Sequence, residues 1–244
     1  MNLLSKLTGK YRFLTYRGSR STYLLLSAIN NLYGSVFTLA NSVIVPTRYG
    51  RLILPKRGYA QNRALQFMLD AVEPQVASEF MNAVKSAGVF IDVGSAADGW
   101  YTPKACKVNP NILVVSIEPL SAEYKYLLMN IKNNCPKRVI PLRLALGDVE
   151  GIIDMNGEPV KITTLDTLAA KLNLHSVDLL KLDVEGAGAQ IIEGGIKTIM
   201  KYKPIIFYEI HNEAEARSLK ALVKLGYRVK LKPGLMVIAT PGKT

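Results

Sequence analysis

The stretch Val177-Asp-Leu-Leu-Lys181-Leu-Asp183-Val-Glu185-Gly186 has the pattern of a buried strand that ends in a charged turn. Because side chains alternate along a strand, Lys181 and Asp183 share one face and the leucines beside them face the opposite way. A buried lysine needs a carboxylate partner, since an unpaired charge inside a protein is costly. The stretch therefore predicts a central strand in which Lys181 pairs with Asp183 or with Asp92.

Short apolar runs recur on both sides of this strand and alternate with amphipathic segments. Runs that are apolar throughout are typical of parallel strands covered on both faces. They are Val89–Val93, Leu113–Ile117, Val139–Leu144, Asp178–Asp183 and Ile205–Ile210. Two more runs, Tyr227–Leu231 and Leu235–Ala239, flank a Pro-Gly loop and predict an antiparallel hairpin. The pattern predicts an α/β fold with a Rossmann-like, doubly wound, mostly parallel seven-stranded sheet and an antiparallel C-terminal hairpin.

The 244 residues fit one α/β domain with an N-terminal extension. The net charge is +12, and residues 1–69 contain ten Lys or Arg and no acidic residue. We therefore predict a basic extension of helices and a β-hairpin over 1–69, and a Rossmann-like domain over 70–244. The charge favours an anionic surface, either lipid head groups or nucleic acid, as a partner of residues 1–69. The alternative is a basic arm that only aids solubility.

Within the extension, Met1–Arg20 has the spacing of a basic amphipathic helix, which could lie on a membrane surface or pack against the domain. The uncharged stretch Ser21–Thr47 contains several polar groups, which favour a soluble or interfacial helix over a membrane span. Val43–Val45 and Arg51–Leu54 flank a turn and predict a hairpin. A helix with Leu65, Met68, Leu69 and Val72 on one face should follow.

The location predicted from the sequence is cytoplasmic, with possible peripheral attachment to a membrane. A small-residue cleavage site of the kind that ends a signal peptide is not evident. Cys106 and Cys135 are interpreted as free thiols in a reducing cytosol, because their spacing fits neither a metal knuckle nor a disulfide framework.

Ligands of such sheets bind at the carboxyl ends of the strands. The first strand contains Asp92 and leads into the loop Gly94–Gly99, whose glycines let the backbone approach a ligand closely. The second strand ends at Glu118, where an acidic residue accepts hydrogen bonds from ribose hydroxyls. A carboxylate favoured by the dipole of the next helix is the structural alternative. The two features predict a nucleoside cofactor, without separating a dinucleotide from S-adenosylmethionine.

Four polar side chains follow the next two strands. Asp183 and Glu185 follow one strand, and Glu209 and His211 share a face at the end of its neighbour. We predict catalytic roles for Asp183, Glu185 and His211, with His211 or Asp183 as general base. Alternatively, Asp183, Glu185 and Glu209 could hold a divalent cation that lowers the pKa of an acceptor hydroxyl.

Several of these segments resemble the FkbM family of methyltransferases, from about Glu73 to about His211. Its most specific element is Lys-Leu-Asp-Val-Glu-Gly after a Thr-Leu-Asp helix start. The segments are Phe90–Gly94, Ile117–Pro119, Ala145–Asp148, Thr164–Asp166, Val177–Gly186 and Lys203–His211. In one departure, four residues separate the two loop glycines where the family usually has three.

The resemblance implies an S-adenosylmethionine-dependent O-methyltransferase that acts on a hydroxyl of a sugar, a glycolipid or a glycosylated small molecule. It implies that the Gly94 loop holds the methionine part of the cofactor, Glu118 the ribose and Asp148 the neighbourhood of the adenine. Asp183 would lie beside the reactive methyl group. The predicted cofactor-binding residues are Asp92, Gly94, Ser95, Gly99, Glu118, Pro119, Asp148 and Asp183. Two alternatives are an RNA methyltransferase that uses the basic extension, and a methyltransferase-like binding module without catalysis.

Overall fold

The structure is a computed structural model that describes residues 38–39, 42–55 and 59–242. Its strands are β1 (Thr38–Leu39), β2 (Ser42–Thr47), β3 (Gly50–Pro55), β4 (Val89–Val93), β5 (Leu113–Ile117), β6 (Val139–Leu142), β7 (Ala145–Gly147), β8 (Gly151–Met155), β9 (Glu158–Thr164), β10 (Leu179–Leu182), β11 (Ile205–Glu209), β12 (Tyr227–Leu231) and β13 (Met236–Pro241). Its helices are α1 (Tyr59–Met68), α2 (Pro74–Val84), α3 (Tyr101–Val108), α4 (Ser121–Asn134), α5 (Leu165–Lys171), α6 (Gly188–Glu193), α7 (Ile196–Tyr202) and α8 (Glu213–Lys224).

The main sheet has seven strands in the order β12-β13-β11-β10-β4-β5-β6. Strands β11, β10, β4, β5 and β6 run parallel, and β13 lies antiparallel between β11 and β12. The predicted fold is therefore confirmed. From β4 the chain builds outward through β5 and β6, then crosses to the other side of β4 at β10. A ligand cleft is expected where the strand order reverses, which here is between β4 and β10.

Alternating side chains of the main sheet pack into two cores. Ile91, Leu180 and Ile206 belong to the core formed with α5, α6, α7 and α8. Phe90 and Phe207 belong to the other core, which includes side chains of α1, α2 and α3. Because both faces are covered, the central strands are apolar along their whole length, apart from the polar residues near the cleft.

The predicted N-terminal hairpin is confirmed, because β2 pairs antiparallel with β3 through a turn at Thr47–Gly50. Val43 and Leu52 are buried in the same core as Phe90 of the main sheet. The hairpin therefore shares a hydrophobic core with the Rossmann-like sheet.

The helix predicted after the hairpin is confirmed as α1, but its predicted face is wrong at two positions. The chain leaves the helix after Met68, and Asp70 has a left-handed φ of 52°. Leu69 is consequently 65% exposed, and Val72 is buried beyond the end of α1.

Two asparagines on α4 attach β3 to the rest of the molecule. Asn130 Oδ1 accepts a 2.6 Å hydrogen bond from the Ile53 amide, and its Nδ2 donates to the carbonyls of Ile53 and Ala97. One turn later, Asn134 Oδ1 accepts a hydrogen bond from the Arg51 amide, and Nδ2 donates to the Arg51 carbonyl. The two side chains hydrogen-bond the backbone of β3 as a neighbouring strand would.

The interpretation of the cysteines as free thiols is wrong. Cys106 of α3 and Cys135, directly after α4, form a disulfide with Cα atoms 6.1 Å apart. This pairing could not be predicted from the spacing of the cysteines, because the two residues meet only when α3 packs beside α4.

The helix predicted for Met1–Arg20 lies outside the described residues, as do residues 21–37 of the uncharged stretch. The end of that stretch forms β1 and β2 where an extended helix would have continued. Among residues 38–39, 42–55 and 59–242, no helix has the length and apolar character needed to cross a bilayer.

We predict that Asn130→Ala lowers the free energy of unfolding by about 2 to 4 kcal/mol, because three backbone groups lose their partner. Urea denaturation measures the change. Asn133→Ala, at an exposed position of the same helix, is the control and should change stability by less than about 0.5 kcal/mol. Equal effects of the two substitutions would contradict the assigned role of Asn130.

Candidate active site

A cavity of about 450 Å³ opens at the carboxyl ends of β4, β5, β10 and β11. Its volume lies in the range of small-molecule sites. Five of the six segments that carry the resemblance contribute residues to it, and Thr164–Asp166 does not. Its walls include Val93, Gly94, Ile117, Glu118, Pro119, Leu144, Leu146, Asp183, Glu185, Glu209 and His211.

Gly94 allows the loop after β4 to approach the end of β10. Its φ is 77°, and a Cβ atom at this position would lie 1.8 Å from the carbonyl oxygen of Asp183. The amides of Gly94 and Ser95 both donate to the Ile117 carbonyl, at 3.0 and 2.9 Å. The loop therefore links the ends of three strands, and these two amides are engaged within the protein.

The other residues of the loop differ in their surroundings, since some line the cavity and others pack inside the protein. Ala96 lines the cavity with a left-handed φ of 54°, an uncommon conformation for a residue with a side chain. Gly99 is buried, and a Cβ atom there would lie 2.6 Å from Leu127 on α4. Its position therefore indicates helix packing, although cofactor binding was predicted. Asp92 and Ser95 lie beside the loop in a smaller cavity.

Glu118 lines the cavity and also accepts hydrogen bonds from two backbone amides. Its Oε2 accepts a hydrogen bond from the Ala96 amide at 3.0 Å, and its Oε1 accepts one from the Leu120 amide at 2.9 Å. Burial raises the pKa of Glu118 to about 7, although these two hydrogen bonds oppose the shift. Because a carboxylate oxygen has two lone pairs, Glu118 can still accept hydrogen bonds from a ligand.

Lys181 lies at the centre of the polar end of the sheet. Its Nζ donates to Asp183 Oδ2 at 2.9 Å, which confirms one of its two predicted partners. Burial alone would lower the pKa of Lys181, but the charges of Glu73, Asp183 and Asp92 raise it above its usual range. Burial raises the pKa of Asp92 to about 6, although Lys181 and a hydrogen bond from Thr102 oppose the shift.

Asp183, Glu209 and His211 form a titrating cluster at the cavity wall. Burial would raise the pKa of Asp183, but Lys181 and hydrogen bonds from its neighbours hold it well below its usual range. His211 Nε2 lies 3.4 Å from Asp183 Oδ1, and this contact raises the pKa of His211 to about 9. Burial, and then the Asp183 charge, raise the pKa of Glu209 to about 7. Glu209 is therefore the member whose pKa matches a general base at neutral pH.

The candidate cation ligands differ from the predicted set. Among the described residues, Asp183, Glu209 and His211 offer ligand atoms that lie within 4.8 Å of one another. Glu185 lines the cavity but is not part of this trio. The charge of Asp183 is already compensated by Lys181 and by protonated His211.

Three lining residues were missed by the sequence prediction. Arg63 of α1, Glu73 before α2 and Met155 of β8 contribute to the cavity wall. Their sequence neighbourhoods contain no motif, so only the packing of distant segments reveals them. Asp148, by contrast, is exposed in the turn after β7 and is not one of the lining residues.

Comparison with known proteins agrees with this arrangement. Residues 146–229 match the family model described as Methyltransferase FkbM domain. The crystal structure of the methyltransferase FkbM from Methylobacillus flagellatus KT has a TM-score of 0.54 at 14% identity, over 89% of this chain and 59% of that one. The METTL16 methyltransferase domain has a TM-score of 0.53 at 13% identity, over 100% of both chains.

The chain thus spans about 59% of the length of the FkbM structure it matches. No curated protein is significantly similar to it in sequence. At these identities the solved structures establish the fold, and the family model adds the FkbM-specific part from β7 to β12. The family match over residues 146–229 and the shared fold together confirm the resemblance to FkbM methyltransferases that the sequence predicts.

Proposed function

We propose that the chain transfers a methyl group from S-adenosylmethionine to a hydroxyl group of a sugar, a glycolipid or a glycosylated small molecule. One observation supports this most directly. A single cavity has the Glu118 carboxylate on one wall and the titrating cluster of Asp183, Glu209 and His211 on another. A carboxylate suited to ribose hydroxyls and a candidate proton acceptor therefore line the same cavity.

The residues present fit this cofactor chemically. Glu118 can accept hydrogen bonds from ribose hydroxyls, and the apolar side chains of Pro119, Leu144 and Leu146 suit an adenine ring. The carboxylates of Asp183 and Glu209 suit a positively charged ligand. When bound, the cofactor supplies a methyl group on a cationic sulfur.

Glu209 is the proposed general base. Its carboxylate would accept the proton of the acceptor hydroxyl as that oxygen takes up the methyl group. Asp183 stays ionised beside it, because Lys181 and His211 stabilise its charge. His211 gives up its proton less readily, with a pKa near 9, and it orients Asp183.

The lining favours a small neutral acceptor over RNA. Six carboxylates line the cavity, against the cationic groups of Arg63 and His211. A phosphate backbone entering this space would meet like charge. An open cavity of this size also favours a ligand-binding enzyme over a module without catalysis.

The first prediction concerns the cofactor. Glu118→Gln should weaken binding of S-adenosylhomocysteine at least tenfold, because an amide cannot accept hydrogen bonds at both ends. Calorimetric titration measures the affinity, and Asp148→Asn is the comparison, expected to bind within about twofold of the wild type. If the wild type itself bound no S-adenosylhomocysteine, the proposed function would be wrong.

The second prediction concerns Glu209. Its pKa rises from 4.5 to about 7 in the folded protein. Because the folded-state pKa of Glu209 is raised, the stability associated with its protonated side chain is fully present below pH 4.5. That stability is lost as the pH rises through 7 and the side chain ionises in the folded protein. Glu209→Gln should therefore stabilise the fold at pH 8 by on the order of 2 kcal/mol and leave it unchanged near pH 4.

The same substitution should lower kcat by about 100-fold or more, because the proton acceptor is lost. Thermal unfolding at the two pH values and a methyl-transfer assay measure both effects. A fully active Glu209→Gln enzyme would remove Glu209 as the base and leave His211 or Asp183 in that role.

Attachment of residues 1–69 to an anionic membrane surface, at its cytoplasmic side, is also proposed. Arg48 and Arg51 are exposed at the β2–β3 turn. The full chain should float with phosphatidylglycerol vesicles, and removal of Met1–Arg20, which has five basic residues, should reduce flotation. Each such residue near an anionic surface contributes about 1 kcal/mol. Equal flotation with neutral phosphatidylcholine vesicles would count against a charge-driven contact.

A further inference from the structure

Glu73 projects into the cavity from outside the parallel strands. It directly precedes α2 and lines both the large cavity and the smaller one beside it. The smaller cavity also contains Asp92, Lys181 and Asp183. Glu73 therefore stands between the polar end of the sheet and the part of the cavity that Glu209 borders.

The Glu73 carboxylate is held in a fixed orientation. Its Oε2 accepts a hydrogen bond from the hydroxyl of Tyr101, a buried residue of α3. The Tyr101 ring in turn lies 4.6 Å from Lys181 Nζ. The Oε1 atom of Glu73 accepts no hydrogen bond from the residues that the structure describes. One carboxylate oxygen is thus anchored, and the other is available to a ligand.

The backbone at Glu73 supports a functional interpretation. Its φ of 46° and ψ of 52° are left-handed, a conformation that glycine adopts at lower cost. Pro74 begins α2 and disfavours the right-handed helical conformation for the residue before it. Non-glycine residues in this region cost of the order of one kcal/mol or more, and they concentrate at binding sites. If Glu73 only started the helix, a glycine at this position would avoid the backbone strain, so the glutamate indicates a further role.

The surroundings of Glu73 define what it can bind. Its charge acts on Lys181 and on Glu209, so it lies within electrostatic range of the proposed base. A carboxylate is a hydrogen-bond acceptor only, and it therefore suits a hydroxyl donor. Together with Asp183 and Glu209 it repels phosphate and carboxylate groups.

We infer that Glu73 positions the methyl acceptor, by accepting a hydrogen bond from a second hydroxyl of that molecule, and that it excludes anionic acceptors. This inference rests on the proposed function and adds a specificity-determining residue to it. Because the anchored carboxylate loses little freedom on binding, its hydrogen bond can favour one orientation of the acceptor.

The test uses the full chain saturated with S-adenosylhomocysteine. Two probes, methyl β-glucopyranoside and glucose 6-phosphate, are titrated and followed by saturation-transfer NMR. Wild type should bind the neutral glycoside at least about tenfold more tightly than the phosphate. Glu73→Gln keeps an oxygen for the Tyr101 hydroxyl, so it should fold normally. It should weaken glycoside binding about fivefold to tenfold and narrow the preference over the phosphate.

Glu79→Gln is the matched control, because Glu79 lies on α2, the helix that Glu73 precedes, pairs with Lys232 and is not one of the lining residues. It should leave the affinities for both probes unchanged. A general loss of folding would lower the affinities for both probes by the same factor. The inference requires the ratio of the two affinities to change. An unchanged ratio in Glu73→Gln, or a wild type that prefers the phosphate, overturns the role of Glu73 while S-adenosylhomocysteine binding stands. A wild type that binds no S-adenosylhomocysteine overturns the proposed function and this inference together.

Discussion

The buried charge of Lys181 organises the catalytic end of the sheet. Its side chain is 3% exposed, so its charge must be balanced within the protein. In the sheet register Lys181 lies opposite Asp92 of β4, and Asp183 follows two residues later on the same strand. Removing any partner would leave a charge in an environment that water cannot reach, and such a loss is strongly destabilising. The ends of β4 and β10 are therefore held together by electrostatics as well as by the close approach of Gly94.

The asymmetric position of Lys181 explains why neighbouring carboxyl groups differ in acidity. Its ammonium group is bonded to Asp183, and this lowers the pKa of Asp183. Glu209 is partly buried close by without such a bond, and the ionised Asp183 adds to the rise in its pKa that burial causes. Asp183 and Glu209, which line one cavity, therefore differ in protonation state near neutral pH. This is the arrangement by which one site provides both a fixed anion and a proton acceptor.

The features predicted correctly from the sequence are those that depend on local periodicity. β4 and β5 begin and end where their apolar runs do, because strands covered on both faces are apolar along most of their length. The Lys181–Asp183 pair follows from alternation within a single strand. The position of Glu73 could not be predicted, since its partner Tyr101 lies 28 residues away on another helix. The disulfide was missed for the same reason, because tertiary packing alone brings Cys106 to Cys135.

The net charge of +12 and the acidic lining of the cavity arise from different parts of the chain. The excess of basic residues lies largely in 1–69, whereas the cavity walls bear six carboxylates. Arg63 of this segment lines the cavity, whereas exposed charges such as those of Arg48 and Arg51 are screened over roughly 8 Å at physiological salt. An anionic surface can therefore attract the protein without drawing anionic groups into the site. Under the proposed function, the extension would direct the enzyme to an anionic surface, and the carboxylates, Glu73 among them, would select the methyl acceptor.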